Sequence, residues 1–284
     1  MSGSGDSDGG GGSDGAGGSG GSTSDTGRDD TLRIAVTGAG GRMGREVIEA
    51  ATSREGVAVA VAVNRTATDP VAGVDVASAE RLPELLAERE PDVLVDFTGP
   101  ESAVAYAEAC AAAGVSIVTG TTGFDSSGTS GLREASHEIA LLKASNFARG
   151  VAALRRAVRE AVAAVPGYDV ELTETHHNGK RDAPSGTAKT ILGDVEDVRD
   201  DLDERVHGRE GVAPRRPGEI GVHARRAGDV TGEHEVLLAG NRETIELTHR
   251  AGDRGVFAEG ALDAANWLAG RDPGWYDFDD VLDA

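Results

Sequence analysis

A short apolar strand that runs straight into a glycine cluster, and from there into a helix, narrows the fold more than any other feature of the chain. Leu32-Arg33-Ile34-Ala35-Val36-Thr37 supplies the strand, Gly38-Ala39-Gly40-Gly41-Arg42-Met43-Gly44 the turn, and Arg45 to Ser53 the helical pattern. Glycine is needed at such a junction because the backbone turns tightly and must approach its ligand closely. The helix start then aims free N–H groups beyond the turn, which makes it a cradle for a pyrophosphate. The spacing departs from G-x-G-x-x-G: the glycines fall at 38, 40, 41 and 44, and position 43 is Met. Taken alone, the segment reads either as a nucleotide site or as a plain tight turn.

The next strand, Val57 to Val63, ends at Asn64-Arg65. A dinucleotide fold usually carries an acid here, which receives the ribose 2′-hydroxyl. A neutral residue does not repel a 2′-phosphate, and Arg65 is placed to pair with one. The expected cofactor is therefore NADPH and/or NADH, with NADPH favoured; the plainer reading of Arg65 is a solvated loop residue. Apolar runs then alternate with helical patterns: Val93 to Phe97, Glu101 to Ala113, Val115 to Val118. Short β-branched runs separated by helices imply an α/β architecture with a parallel sheet covered on both faces. Its ligand edge lies at the C-terminal ends of the strands. Three loops fall there: Phe97-Thr98-Gly99-Pro100, Gly120-Thr121-Thr122-Gly123-Phe124 and Ala144-Ser145-Asn146-Phe147. Each sets small or amide residues beside an aromatic ring, which suits a nicotinamide and its carboxamide.

After Asn146 the pattern changes. Val151 to Ala164 reads as a helix and Asp169 to Thr173 as a strand. Then follows Glu174-Thr175-His176-His177-Asn178-Gly179-Lys180-Arg181-Asp182-Ala183-Pro184-Ser185-Gly186-Thr187-Ala188. The chain has only three lysines, Lys143, Lys180 and Lys189, so a lysine between two histidines and a helix start stands out. An ammonium gives up a proton near neutral pH once its pKa is lowered, and a guanidinium does not. A helix is expected from about Pro184, capped by Asp182, with the Gly186 and Thr187 amides forming an anion site. His177, Lys180 and Thr187 would surround that anion, as in a receptor for one carboxylate or two. Asp197 to Glu204 reads as a solvated acidic run, and Gly218 to Arg250 as antiparallel sheet turning at Gly228-Asp229. His137, His207, His223, His234 and His249 are scattered and read as structural or exposed. No zinc-type spacing and no Gly-x-Ser-x-Gly elbow occurs. Gly255 to Ala269 is a final helical pattern, followed by a short acidic tail with Trp275, Tyr276 and Phe278.

The chain has 284 residues and a formal net charge of −21. Residues 1–30 are almost wholly Gly, Ser, Asp and Thr, too polar to offset the entropy of ordering, and are expected to form a flexible acidic tail. The remaining length suffices for one large domain or two small ones. The charge argues against nucleic acid or an anionic membrane as partner, and no apolar run reaches the roughly 18 residues of a span. The single cysteine, Cys110, forms no internal disulfide and suits a reducing cytoplasm. Abundant acid with few lysines resembles salt-adapted proteins, where repulsion is screened within roughly 3 Å at 1 M salt.

Several motifs carry a resemblance to the 4-hydroxy-tetrahydrodipicolinate (dihydrodipicolinate) reductase family. They are residues 38–44, Asp-Phe-Thr-x-Pro-Glu at 96–101, Gly-Thr-Thr-Gly-Phe at 120–124, Ser-Asn-Phe at 145–147, residues 174–188, and Arg-Ala-Gly-Asp-Val-x-Gly-Glu-His at 226–234. The resemblance spans roughly residues 32 to 282, and its most specific part is the His-His-Lys and Pro-Ser-Gly-Thr stretch. It implies NAD(P)H-dependent reduction yielding tetrahydrodipicolinate on the diaminopimelate and lysine pathway. It implies a Rossmann-type domain (residues 31–148 plus 255–284) and an inserted α+β substrate and oligomerisation domain (149–254), assembled as a cytoplasmic homotetramer. By the same resemblance, Gly38, Ala39, Gly40, Gly41, Arg42, Met43, Asn64 and Arg65 contact the cofactor. So do Gly120, Thr121, Thr122, Ala144, Ser145, Asn146, Phe147 and Arg254. His176 and Lys180 become the catalytic acid pair, and His177, Gly186 and Thr187 hold substrate carboxylates. Asn64, in place of the family's usual acid, departs from the pattern, as does Asn178-Gly179 between the histidines and the lysine. Two rivals remain at this point: another two-domain dehydrogenase of a small amino or keto acid, and a non-catalytic NAD(P)H-sensing module.

Overall fold

The computed structural model describes residues 31–283; the tract read above as a flexible tail lies outside the described residues. The first half runs β1 (Leu32–Thr37), α1 (Arg42–Ser53), β2 (Val57–Asn64), β3 (Thr68–Val71), β4 (Val74–Ser78) and α2 (Leu82–Arg89). It continues with β5 (Val93–Asp96), α3 (Pro100–Ala113), β6 (Ser116–Thr119), α4 (Ser126–Ala135) and β7 (Ala140–Lys143). The second half runs α5 (Arg149–Ala164), β8 (Asp169–His176), α6 (Gly186–Glu196), β9 (Glu204–His207) and β10 (Glu219–Arg226). It closes with β11 (Gly232–Ala239), β12 (Thr244–Ala251), α7 (Gly255–Leu268), β13 (Gly274–Tyr276) and α8 (Phe278–Leu282).

The first sheet has eight strands in the order β13-β7-β6-β5-β1-β2-β4-β3, all parallel except the β3–β4 pair. Its apolar runs are continuous because successive side chains feed two cores. Ile34, Val36, Val93 and Val95 enter the cluster beneath α1 and α7, while Ala35, Val61, Val63 and Leu94 enter the cluster that also takes Leu82, Ala107 and Leu132. The expected acidic tail is instead structured. Trp275 and Tyr276 lie on the edge strand β13, and Phe278 is buried. The helix α7 packs on α1, β5, β6 and β7, so elements from both ends of the chain build this half.

The second sheet has the order β12-β11-β8-β10-β9. It is mixed, which corrects the antiparallel reading of 218–250. β10 runs parallel to both β8 and β9, and the antiparallel pairs are β11 with β8 and β11 with β12. β10 and β11 follow one another in sequence but are separated by β8. The physical reason is the third core, where Val170 and Leu172 of β8 lie between Ile220 and Val222 on one side and Val236 and Leu238 on the other. Within the Asp197–Glu204 run, Leu202 and Arg199 are buried, which a wholly solvated run would not do. Among the described residues no helix is long and apolar enough to cross a membrane.

The chain passes from the first sheet to the second through the segment after β7. Phe147 is buried with its ring edge-on to Phe97 (centroids 5.6 Å apart) and to Phe278 (5.3 Å). A Cβ on Gly260 of α7 would lie 1.8 Å from the Phe147 carbonyl oxygen, so helix and segment touch through bare backbone.

Candidate functional site

At the strand ends of the first sheet lies an open cleft of 1090 Å³, with Gly38, Asn64, Arg65, Thr98, Pro100 and Tyr106 on its walls. Gly38 takes φ +64°, a region that suits glycine, and a Cβ on Gly44 would come within 2.2 Å of the Gly38 carbonyl oxygen. A Cβ on Gly40 would stand 3.1 Å from the Asn64 amide. The helix α1 therefore starts hard against β1. Its N-cap, Gly41, offers no side-chain acceptor, which leaves the first-turn amides to an outside anion. A cradle that any Cβ would fill, at an uncapped helix start, fits a dinucleotide pyrophosphate. Asp96 braces the neighbouring loops. Fully buried, it accepts hydrogen bonds from the hydroxyls of Thr37 (2.8 Å), Thr98 (2.6 Å), Thr119 (2.8 Å) and Thr121 (2.7 Å).

A second cleft of 310 Å³ joins the two halves. Met43, Phe97, Gly120, Thr122, Ser145, Asn146 and Phe147 come from one side; His176, His177, Lys180, Ser185, Gly186 and Thr187 come from the other. The Asn146 amide donates to the Thr187 hydroxyl (2.9 Å) and its carbonyl accepts from the Ala148 amide (2.8 Å), a strut across the junction.

The second wall grows from strand register. β8 continues to His176, three residues beyond the expected end, so Glu174 and His176 fall on the same face as Leu172 and Val170. The β10–β11 connection holds the strand end: the Ala227 amide donates to the His176 carbonyl (2.9 Å), and the Asn178 amide donates to the Gly228 carbonyl (3.1 Å). A tight turn follows, with the Lys180 amide on the His177 carbonyl (3.1 Å) and the Lys180 ammonium 2.8 Å from Asp182. Burial acts to raise the Asp182 pKa, but the hydrogen bond and charge of Lys180 outweigh it and hold the carboxyl below its ordinary range. Asp182 thus serves Lys180 and is not the cap of α6. That cap is Ser185, whose hydroxyl accepts from the Ala188 amide (3.1 Å), and the helix proper begins at Gly186. Pro184 precedes the cap, and the Ala183–Pro184 bond is cis. A Cβ on Gly186 would meet nothing within 4 Å, and Gly186 and Thr187 at the start of α6 both line the smaller cleft.

The chemistry of this wall rests on a buried cluster. Glu174 is fully buried and accepts a hydrogen bond from the His176 ring at Nδ1. Arg226 of β10 grips the same carboxylate with both terminal nitrogens (2.9 and 2.8 Å), and the Ser185 amide donates to it (3.2 Å). Burial alone would raise the Glu174 pKa; the hydrogen bonds and charges of Arg226 and His176 reverse that and keep it ionised. His176 titrates below its ordinary value, chiefly because it is buried and although Glu174 pulls the other way. His234 of β11 lies edge-on to His176, with centroids 5.3 Å apart, and its Nε2 meets the Ser185 hydroxyl at 3.2 Å. Burial first, then the neighbouring His176, pushes its pKa down to about 4.

The structure thus brings His176, His177, Lys180, Gly186 and Thr187 to one cleft with Met43, Gly120, Thr122, Ser145, Asn146 and Phe147, while Gly38, Asn64 and Arg65 line the adjoining one. Gly40 and Gly41 lie in the loop between, and Arg42 is exposed at the first position of α1. Ala39, Thr121 and Ala144 are buried, Thr121 with its hydroxyl on Asp96, so only their backbone is on offer. Arg254 lines neither cleft; it is the N-cap residue of α7, whose Phe257 reaches the smaller one. Glu174, Arg226, His234 and the capping role of Ser185 escaped the sequence reading. The signal was faint: a glutamate and a histidine two apart on a strand share a face, but their partners come from β10 and β11, some 50 residues on. Among the described residues, no cluster of three or more His, Cys, Asp or Glu is arranged to hold a metal ion.

With this geometry in place, comparison with known proteins is informative. Residues 32–147 match the family model described as dihydrodipicolinate reductase, N-terminus, and residues 150–282 match its C-terminus counterpart. A 4-hydroxy-tetrahydrodipicolinate reductase of Haloarcula marismortui is 56% identical over 252 residues, covering 89% of this chain and 99% of that protein. One from Natronomonas pharaonis is 55% identical, covering 88% of this chain and all (100%) of that protein. Both relatives come from halophilic archaea. Among solved structures, a dipicolinate-bound dihydrodipicolinate reductase from Paenisporosarcina sp. TG-14 shares the fold with a TM-score of 0.70 at 23% identity, covering 87% of this chain and 97% of that one. An amine dehydrogenase from Mycobacterium smegmatis shares it less closely, with a TM-score of 0.59 at 14% identity, covering 87% and 95%.

Proposed function

The chain belongs to the dihydrodipicolinate reductase family, and from that premise we propose how its own residues divide the work of that enzyme. The reaction is the NAD(P)H-dependent reduction of 4-hydroxy-tetrahydrodipicolinate to tetrahydrodipicolinate in diaminopimelate and lysine biosynthesis. One observation carries the assignment of residues: His176, His177, Lys180 and the open start of α6 face Met43, Gly120 and Thr122 across a single 310 Å³ cleft.

Bound NAD(P)H supplies the hydride. Gly38 to Met43 hold its phosphates, Gly120 to Thr122 and Ala144 to Phe147 bound its nicotinamide end, and Arg65 beside neutral Asn64 favours the 2′-phosphate of NADPH. The substrate is a cyclic dicarboxylate. Its carboxylates take the Gly186 and Thr187 amides and His177, and Lys180 exchanges Asp182 for substrate. The gathered positive charge polarises the conjugated imine. His176, assisted by Lys180, delivers the proton to the atom beside the one reduced. Closure of the cleft about Ala148 and Arg254 brings Arg254 to the cofactor. The outer face of the second sheet, with Thr173, Glu235 and Thr248 on it, joins subunits into a homotetramer that works in the cytoplasm.

A coupled assay tests this reading. Reduced cofactor should be consumed only when a synthase supplies the substrate, faster with NADPH than with NADH, at each of several salt concentrations. Consumption with a small amino or keto acid instead, and none with that substrate, would refute it.

A further inference from the structure

Glu174 is a carboxylate without access to solvent, on the face of β8 that also carries Val170, Leu172 and His176. A fully buried acid is costly unless paired, and a buried pair seldom stabilises more than apolar residues of equal size would. Its retention here asks for a reason beyond packing. Each of its contacts leads to the cleft: Nδ1 of His176, the Ser185 amide at the start of α6, and Arg226, whose Nη2 also donates to the Asp182 carbonyl (2.5 Å).

We infer that Glu174 is the positioning residue for His176, holding its ring with Nδ1–H on the carboxylate and Nε2 turned to the substrate, and that Arg226 tempers the charge of this pair. The inference rests on the role proposed for His176. An ionised carboxylate accepts only, so the shared proton sits on Nδ1 and the other ring nitrogen is left for chemistry. Nε2 is uncovered because residue 232 is glycine: a Cβ there would lie 3.1 Å from it. Glu174 alone would favour a permanently charged imidazolium. Burial first, then Lys180 in the following turn and Arg226 on β10, oppose that, while His234 on β11, beside His249 of β12, is itself kept neutral, so the ring remains able to release its proton.

Glu174→Gln should lower turnover roughly 10–100-fold while leaving the cofactor Kd within about twofold. It should also move the alkaline limb of the kcat/KM profile to lower pH, since the group that favoured protonated His176 is gone. Arg226→Gln should move that limb the opposite way, and Glu174→Asp, which keeps the charge, should leave it near its original pH. Nitrogen NMR of the His176 ring should show Nδ1 protonated in the parent protein and not in Glu174→Gln, a readout that does not depend on turnover. If the single variants do not fold, Glu174→Gln with Arg226→Gln keeps the buried cluster neutral and carries the same NMR test. Unchanged pH limbs and an unchanged tautomer, with only a lower Tm, would reduce Glu174 to a packing residue and overturn the inference. In a His176→Gln background, Glu174→Gln should cost less than about twofold more, because residues acting as a unit are not additive. A full extra loss there overturns the inference while leaving His176 in its role. Near-parental activity of His176→Gln itself removes the reading beneath it.

Discussion

Both walls of the cleft are proposed to receive anions, the dinucleotide on one and the substrate on the other, in a chain of net charge −21, and they are built by different means. The dinucleotide wall uses backbone: the Gly38–Gly44 turn, an uncapped helix start, and loops held by threonine hydroxyls on one buried aspartate. The substrate wall uses side chains, and charged ones: Glu174, Arg226, His176, Lys180 and Asp182 interlock, with His234 and Ser185 closing the set. A backbone site is tuned by shape and resists only substitutions that add volume. A side-chain site is tuned by charge balance, so one conservative change alters its chemistry while the fold persists.

Four experiments would break or sharpen that contrast. The largest effect is expected at His176, where His176→Gln removes the proposed proton donor and should lower turnover by roughly 10²–10⁴-fold, with cofactor affinity unchanged by titration. Next is the pH dependence of stability. The His234 pKa falls to about 4 in the folded state, below its ordinary value of 6.5, so its contribution is present above pH 6.5 and is lost as pH falls towards 4. The loss should approach about 3 kcal/mol by denaturant titration, and His234→Gln should flatten the decline over that interval. On the backbone wall, Gly44→Ala forces a methyl against the Gly38 carbonyl, which lies 2.2 Å from the added atom. It should cost about 1–3 kcal/mol of stability and weaken NADH and NADPH alike. A Gly44→Ala protein of parental stability and affinity would mean that the close approach is not needed. The smallest effect is at Arg65, an exposed side chain on the otherwise backbone-built wall. Arg65→Ala should raise the KM for NADPH by about tenfold and leave that for NADH in place, consistent with the loss of one solvent-screened charged hydrogen bond.

Much of this protein is legible before folding. The strand–glycine–helix junction names its own geometry, because β1, the turn and α1 are contiguous and glycine is the one residue that tolerates their approach. The parallel first sheet follows from continuous β-branched runs, and the 174–188 stretch stands out through a lysine set between two histidines and a helix start in a chain with only three lysines. The contents of that stretch were read less well. Asp182 was expected to cap a helix and instead holds Lys180, and β8 runs on to include Glu174 and His176. Local propensity could not separate those options, since Asp and Ser are both good caps and lie three residues apart.

What the sequence by itself determined is the glycine turn at the head of α1 and the His-His-Lys stretch that the structure brings to the cleft, because both are written in consecutive residues. What only the tertiary structure decided is which groups meet. The second sheet places β8 between β10 and β11, and only that order brings Arg226 and His234 to opposite sides of His176 and Glu174. The order is set by burial of Val170, Leu172, Ile220, Val222, Val236 and Leu238 in one core, a non-local requirement that no local spacing encodes.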